Sequence, residues 1–248
     1  MTLSLRERDI RSVLLDIEGT TTPIAFVYDV LFPYARAHVH RFLSESIDSG
    51  GVRAALQLLR SEWTDEASHG RVPPDWPEGS TDPEPVSKYV AWLMDRDRKS
   101  PGLKALQGQV WEGGYRSGLL KGEVFEDVPP SMASWRRAGV GVAIYSSGSV
   151  LAQRLLFGTT RSGDLTRLIS AFFDTAVGAK TSPDSYRRIA HDLNVSAERI
   201  LFVSDAGLEL DAAAAAGCQV ALCVRPGNPP QPIARDTAIV QSLDEIVV

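Results

Sequence analysis

Residues 12–26 read "SVLLDIEGTTTPIAF": an apolar, β-favouring run that delivers Asp16, then Glu18 one residue beyond, then Gly19 and three threonines before Pro23. Acidic residues at a strand end often serve solubility alone. The fold and the chemistry therefore depend on what the other apolar runs deliver.

Three more runs share this character: "GVAIYSS" (141–147), "RILFVSD" (199–205) and "QVALCV" (219–224). None alternates apolar with polar residues, so each fits a strand buried on both faces of a parallel sheet. Helical patterns lie between them. "SPDSYRRIAHDLNV" pairs Ser182 as N-cap with Pro183 at the first turn, and sets Tyr186, Ile189, Ala190 and Leu193 on one face. "LELDAAAAAGC" ends at Gly217, a natural helix stop. Alternation of this kind predicts a doubly wound α/β fold. Residues 22–125 differ: they hold long amphipathic stretches and no buried strand, broken by the proline-rich "RVPPDWPEGSTDPEP" (71–85), which reads as an exposed, poorly ordered loop. The expected organisation is a core of 1–21 and 126–248, split after its first strand by a helical insertion of 22–125.

Composition agrees with a chain that buries a real core. Of 248 residues, 44% are hydrophobic and 23% charged. The net charge of −5 argues against nucleic acid or an anionic membrane as partner, since both reward clustered Lys and Arg. A small anionic ligand at a locally positive site remains compatible. In "MTLSLRERDIRSVLLD" charges interrupt the apolar residues too early for a signal peptide, and no window approaches the roughly 18 apolar residues of a membrane span. Cys218 and Cys223, five apart on one strand, face opposite ways and read as two buried thiols, consistent with a cytoplasmic protein.

In an open parallel sheet, ligands bind outside the carboxyl ends of the strands. There the four runs deliver Asp16 and Glu18; Ser146, Ser147 and Gly148; Ser204 and Asp205, with Glu209 four further on; and Arg225. Lys180 sits just before a helix N-terminus. The carboxylates suit a hard divalent ion such as Mg²⁺, which takes one or two carboxylates plus substrate phosphate. The hydroxyls and amides of "SSGS" suit phosphate oxygens. A lysine adds positive charge where a phosphoryl group moves.

This order of motifs resembles the haloacid dehalogenase-like superfamily: D-x-D-G-T, then Ser/Thr, then Lys, then an acidic pair. Within it the chain is similar to the enolase-phosphatase family of methionine salvage, which has glutamate at the second acidic position followed by "GTTTPI". The likeness extends through "LLDIEGTTTPIAFVYDVLFPYAR", "DRKSPGLKALQGQVWEGGYRSGLLKGEVFEDVP", "IYSSGSVLAQRLLFG" and "FFDTAVGAKTSPDSY". One departure is "SDAGLELDAA", where Leu208 precedes Glu209 and the family often has two glutamates.

The resemblance implies a Rossmann-like core with a helical cap. It implies Asp16 as the nucleophile that forms an aspartyl-phosphate, and one Mg²⁺ per chain held by Asp16, Glu18 and Asp205. Ser146, Ser147 and Lys180 would hold the phosphate, and Glu209 would support the metal from behind. The implied substrate is a phosphorylated diketone, 2,3-diketo-5-methylthio-1-phosphopentane, enolised and then dephosphorylated to 1,2-dihydroxy-3-keto-5-methylthiopentene (acireductone). Glu18 is assigned one or both proton transfers, and Lys180 is retained as a further catalytic residue. The cap would close over the thioether end, with Tyr28, Phe32, Trp111 and Tyr115 as candidate lining or core residues, and Asp97–Ser100 as a polar element or a solvated helix end. His38, His40, His69 and His191 show no ligand spacing and receive no role. The expected partner is the small-molecule substrate, without nucleic acid or membrane, and the expected state is a monomer. The nearest rival is a phosphatase of the same superfamily acting on another small phosphomonoester without enolisation.

Overall fold

The four apolar runs become strands β2 (Ser12–Leu15), β3 (Gly141–Tyr145), β5 (Ile200–Ser204) and β6 (Gln219–Cys223). Four shorter strands carry too little pattern to be seen in the sequence: β1 (Leu3–Ser4), β4 (Ala171–Phe173), β7 (Ala238–Val240) and β8 (Ile246–Val247). The computed structural model describes residues 2–80, 82–96, 98, 100–232 and 236–248. Helices follow in chain order as α1 (Ile24–Phe26), α2 (Phe32–Ser46), α3 (Gly50–Ser68), α4 (Pro83–Met94), α5 (Pro101–Arg116), α6 (Val128–Arg137), α7 (Val150–Gly158), α8 (Pro183–Leu193) and α9 (Gly207–Ala215). The chain divides into two units, Met1–Val27 with Lys121–Val248, and Tyr28–Leu120.

In the first unit six parallel strands are ordered β4-β3-β2-β5-β6-β7, and β1 pairs separately with β8. Strand β2 is central: Leu15 registers with Ile144 of β3 and with Val203 of β5. From β2 the chain builds outward through β3 and β4 on one side, then through β5, β6 and β7 on the other. The order therefore reverses at β2, and such a switch point opens a crevice at the carboxyl ends of the strands. Val13, Leu14 and Leu15 have no exposed surface, nor do Leu201, Phe202 and Val203. That is why these runs read as continuous rather than alternating. Tyr186 and Ile189 of α8 and Leu210 and Ala213 of α9 join Leu14, Ala143 and Phe202 in one buried cluster. Ser182 holds the N-cap position of α8 without a side-chain cap bond, and Asn194, at φ +53°, ends the helix in the left-handed conformation.

The crossings between the units lie inside the boundaries expected at 21/22 and 125/126. Gly19 N–H donates to Thr22 O (2.9 Å), Phe125 N–H to Thr21 O (3.0 Å) and Gly122 N–H to Thr159 O (3.2 Å). These bonds hold Thr22, Gly122 and Phe125 within the first unit.

Among its described residues the second unit has helices and loops and no strand. Helix α3 lies against α5, and α2 against both α4 and α5. The α3–α5 approach is close because position 102 is glycine: a Cβ there would lie 2.7 Å from Leu59 N. The proline-rich stretch is a largely exposed loop up to Asp82, as expected, but it is not loose. It is tied down, because Trp76 is buried, Arg60 donates to Trp76 O (2.7 Å) and Pro77 O (2.6 Å), and Trp63 Nε1 donates to Pro74 O (2.8 Å). Its end is helix: Asp82 caps α4, which starts at Pro83. Of Asp97–Ser100, Asp97 and Lys99 lie outside the described residues. Arg98 pairs with buried Glu66, and Ser100 is buried, caps α5 at Leu103 N and donates to Glu62. Trp111 and Tyr115 are core residues, Trp111 donating to Leu31 O (2.8 Å), whereas Tyr28 is half exposed and meets Phe32 edge-on.

Candidate active site

The turn after β2 organises itself around one carbonyl. Ile17 O accepts the amides of Thr20 (3.2 Å), Thr21 (3.0 Å) and Thr22 (2.8 Å), while Thr21 Oγ1 donates to Asp16 O (3.0 Å). Gly19 sits at φ +68°, a conformation that a side chain resists. A Cβ at that position would lie 2.8 Å from Asp205 Cγ and 3.0 Å from Asn228 Oδ1. Gly19 thus permits both the turn and the approach of the Asp205 carboxylate to it.

Asp16 is buried, and its amide still belongs to the sheet, donating to Val203 O (3.0 Å). Lys180 Nζ lies 2.6 Å from Asp16 Oδ1 and 2.6 Å from Glu209 Oε2. Ser204 Oγ stands 3.3 Å from Asp16 Oδ2 and 3.1 Å from Glu209 Oε2, and it accepts from Ala206 N. Its single proton is therefore shared between two carboxylates. Lys180 is placed by α8, whose buried Tyr186 donates its hydroxyl to Lys180 O (2.7 Å).

The electrostatics follow from burial. Desolvation works against the Lys180 ammonium, but the Asp16 and Glu209 charges outweigh it and raise its pKa, so the lysine stays charged. Asp205 is pushed up to about 7, first by desolvation and then by the Asp16 charge. Glu209 is raised by the same two causes, against the pull of Lys180. One cation is shared among more carboxylates than it can neutralise, the condition that a bound divalent ion relieves.

Among the described residues no group of three or more His, Cys, Asp or Glu side chains closes to ligating range. A Mg²⁺ site does not require one, because this ion characteristically uses one or two carboxylates and completes its shell with water and phosphate. The donor set is all oxygen, and the Asp205 carboxylate lies against the Gly19 turn because no Cβ intervenes. On these observations the residues fit the ion.

Asp16, Lys180, Ser204 and Glu209 are thus joined in one hydrogen-bonded group, and Asp205 lies against the loop that carries Glu18. Glu18 is half-buried and bridges to Thr22 through the backbone. Glu209, expected behind a metal, pairs directly with Lys180. Ser146 is buried, and its hydroxyl accepts from Gly148 N (3.2 Å), shaping the loop, while Ser147 is exposed. Ser149 caps α7. Sequence reasoning placed Ser204 and Arg225 at strand ends without giving either a role, and it did not single out Asn228; Arg225 and Asn228 donate to Thr20 O (3.1 Å) and Gly19 O (2.9 Å). Cys218 and Cys223 are free and buried, their thiols pushed up to about 12 by desolvation. His191 is exposed beside Asp192, and no helix among the described residues is long and apolar enough to cross a membrane.

The haloacid dehalogenase-like hydrolase family matches residues 10–217. Enolase-phosphatase E1 of Synechococcus elongatus is 48% identical over 96% of this chain and 98% of its own length. The Drosophila melanogaster protein of the same name is 43% identical over 91% and 88%. Among solved structures, the UTR4 protein of Saccharomyces cerevisiae superposes with a TM-score of 0.74 at 35% identity, covering 94% of this chain and 98% of that one. CbbY from Rhodobacter sphaeroides, at 18% identity and a TM-score of 0.57, shares the fold. With the family model matched over residues 10–217 and with relatives matched along nearly its whole length, the chain belongs to the enolase-phosphatase family of haloacid dehalogenase-like hydrolases.

Proposed function

We propose that the chain converts 2,3-diketo-5-methylthio-1-phosphopentane to 1,2-dihydroxy-3-keto-5-methylthiopentene and phosphate, as a step of methionine salvage. The observation that carries this reading is the buried Lys180 joined to both Asp16 and Glu209, in a chain whose relatives are named enolase-phosphatases. In the first stage a proton leaves C1 of the substrate and one is delivered to the oxygen on C2, giving the enol. Glu18, on the loop next to Asp16, is the group assigned to these transfers. In the second stage an Asp16 carboxylate oxygen attacks phosphorus in line. The Asp16–phosphorus bond forms as the ester bond breaks, the departing oxygen takes a proton, and water then hydrolyses the aspartyl-phosphate.

Lys180 has three N–H donors. Two are directed at Asp16 and Glu209, which holds the nucleophile in one rotamer and leaves one for a phosphate oxygen. The amides of the Ser146–Ser149 loop, at the N-terminus of α7, supply further donors to the phosphate, and exposed Ser147 supplies a hydroxyl. One Mg²⁺ per chain, held by Asp16, Asp205 and Glu18 through side chain or carbonyl, would neutralise the phosphate so that a carboxylate can approach it.

The deciding assay supplies the diketo phosphate with Mg²⁺ and follows phosphate release together with the ultraviolet absorption of the enol. Both signals should appear, and phosphate release should stop in Asp16→Asn and in Asp205→Asn. Phosphate release with no enol signal would overturn the enolase half of the reading. Independently of turnover, Mg²⁺ should raise the melting temperature of the native chain and not that of Asp205→Asn.

A further inference from the structure

Four successive carbonyls, from Val177 to the lysine itself, are each held by a side chain. Arg188 Nη1 donates to Val177 O (2.9 Å) and Tyr145 Oη to Gly178 O (2.9 Å). Ser185 Oγ donates to Ala179 O (2.7 Å) and Tyr186 Oη to Lys180 O (2.7 Å). Tyr145, Ser185 and Tyr186 are all buried. The backbone bonds of the same segment, Gly178 N to Thr175 O (3.2 Å) and Ser182 N to Ala179 O (3.0 Å), close turns within it. The side-chain bonds instead attach it to regular structure: Tyr145 to β3, and the other three to α8. Glycine at position 178 is part of the fit, because a Cβ there would overlap Ser185 Oγ. The Tyr145 and Tyr186 rings meet edge-on at 5.5 Å, and Lys180 Nζ lies 5.9 Å from the Tyr145 ring centroid.

We propose that Tyr145, Ser185 and Tyr186 are positioning residues that fix Lys180 from its backbone, so that the ammonium keeps its place beside the phosphoryl group after Asp16 has bonded to phosphorus. The lysine is held at both ends, and the reaction treats the two ends differently. Nζ is held by charge, at Asp16 and Glu209. Once an Asp16 oxygen bonds to phosphorus and the ester oxygen leaves with the bonding pair, Asp16 is an acyl phosphate and no longer a carboxylate. One of the two counter-charges that held the ammonium is then gone. The hydroxyl–carbonyl bonds are neutral, and no step of the reaction alters them. A lysine side chain has much rotamer freedom, and a fixed Cα limits where its Nζ can go. A buried tyrosine hydroxyl usually finds a partner wherever it lies. Here two of them, with a serine, take the three carbonyls that end at the lysine.

The inference rests on the role assigned to Lys180 above, and the test separates the two. Tyr186→Phe and Tyr145→Phe each delete one hydroxyl and keep the ring; Ser185→Ala is the third variant, should either ring variant fail to fold. Ser170→Ala is the control, because it deletes a hydroxyl that donates to a different carbonyl of the same unit, Val142 O (2.7 Å). Single-turnover phosphate release from the diketo phosphate with Mg²⁺ should fall about tenfold or more in the tyrosine variants, and by less than about twofold in Ser170→Ala. Beryllium fluoride with Mg²⁺, which mimics a phosphoryl group bonded to a carboxylate, is the second probe, read as thermal shift against concentration. Its dissociation constant should rise about tenfold in the tyrosine variants and stay within about twofold in the control, whatever their starting melting temperatures. Native rates in the tyrosine variants, an equal loss in Ser170→Ala, or unchanged beryllium fluoride binding would overturn the proposal and leave these hydroxyls a structural role alone. A Lys180→Met protein with near-native rate and near-native beryllium fluoride binding would instead overturn the Lys180 role itself, a result distinct from the others.

Discussion

Lys180 and Asp16 are 164 residues apart in the chain, yet Nζ and Oδ1 are 2.6 Å apart in a site that is almost fully buried. Among the described residues the lysine is the cation that Asp16 and Glu209 share, so its removal leaves both without that partner in a low-dielectric setting. Lys180→Met should cost about 3–5 kcal/mol of folding stability by chemical denaturation, the usual penalty for breaking a buried pair. Phosphate release should fall by about a thousandfold or more, since Asp16, the proposed nucleophile, loses its orienting contact.

Gly19→Ala tests the backbone of the turn. The new methyl would press on the Asp205 carboxylate and on Asn228, and the positive φ would itself cost about 1–2 kcal/mol. We expect a folded protein with a lowered denaturation midpoint, in which Mg²⁺ no longer raises the melting temperature. Retention of the full Mg²⁺-dependent thermal shift would show that Asp205 need not lie against the turn.

Asp127 governs acid stability in a direction that can be worked out. Desolvation raises its pKa, but hydrogen bonds from Arg225, the Leu243 amide and Ser242, with the guanidinium charge, outweigh that and hold the carboxyl below its ordinary value. The unfolded chain therefore takes up this proton first as pH falls. The stabilisation is present above the unfolded pKa near 4 and is lost below it as pH falls through the depressed folded value. Asp127→Asn should be less stable than the native chain at neutral pH, and the gap between the two should narrow in denaturant titrations below about pH 4.

Trp76 anchors the proline-rich segment of the second unit. It is 4% exposed, carries the Arg60 guanidinium 4.1 Å from its ring centroid and packs near Tyr89. Trp76→Ala should destabilise this unit by about 3–5 kcal/mol. Hydrogen exchange should then accelerate in α3, which carries Arg60, and not in strands β2 and β5.

The legibility of the fold followed burial. Strands β2, β3, β5 and β6 are apolar without interruption because both faces are covered, and such runs stand out in a sequence. Strands β4 and β7, at the two edges of the sheet, are three residues each and only partly buried, so they leave no comparable trace. The proline-rich segment is the exposed loop its composition suggests, but its tethering was not legible, for a related reason. Its composition reports backbone preference, whereas its order comes from Trp76 and from donors on α3 some sixteen residues earlier in the chain.

By itself the sequence determined the residue types and their order: an aspartate, a serine, a lysine and an acidic pair, each at the end of an apolar run or just before a helix. Strand–helix alternation then required these ends to meet on one edge of the sheet, so the chemistry was readable before any coordinate. What only tertiary structure decided was the pairing. Nothing local says that Lys180 bridges Asp16 to Glu209, that Ser204 shares its proton between them, or that Arg225 and Asn228 reach back to Thr20 and Gly19. Those contacts span from about five to over two hundred residues, and they exist because β2 lies between β3 and β5, where the strand order reverses. Sequence periodicity encodes which face of an element is buried. The identity of the partner met there is fixed by strand order, which no single segment carries.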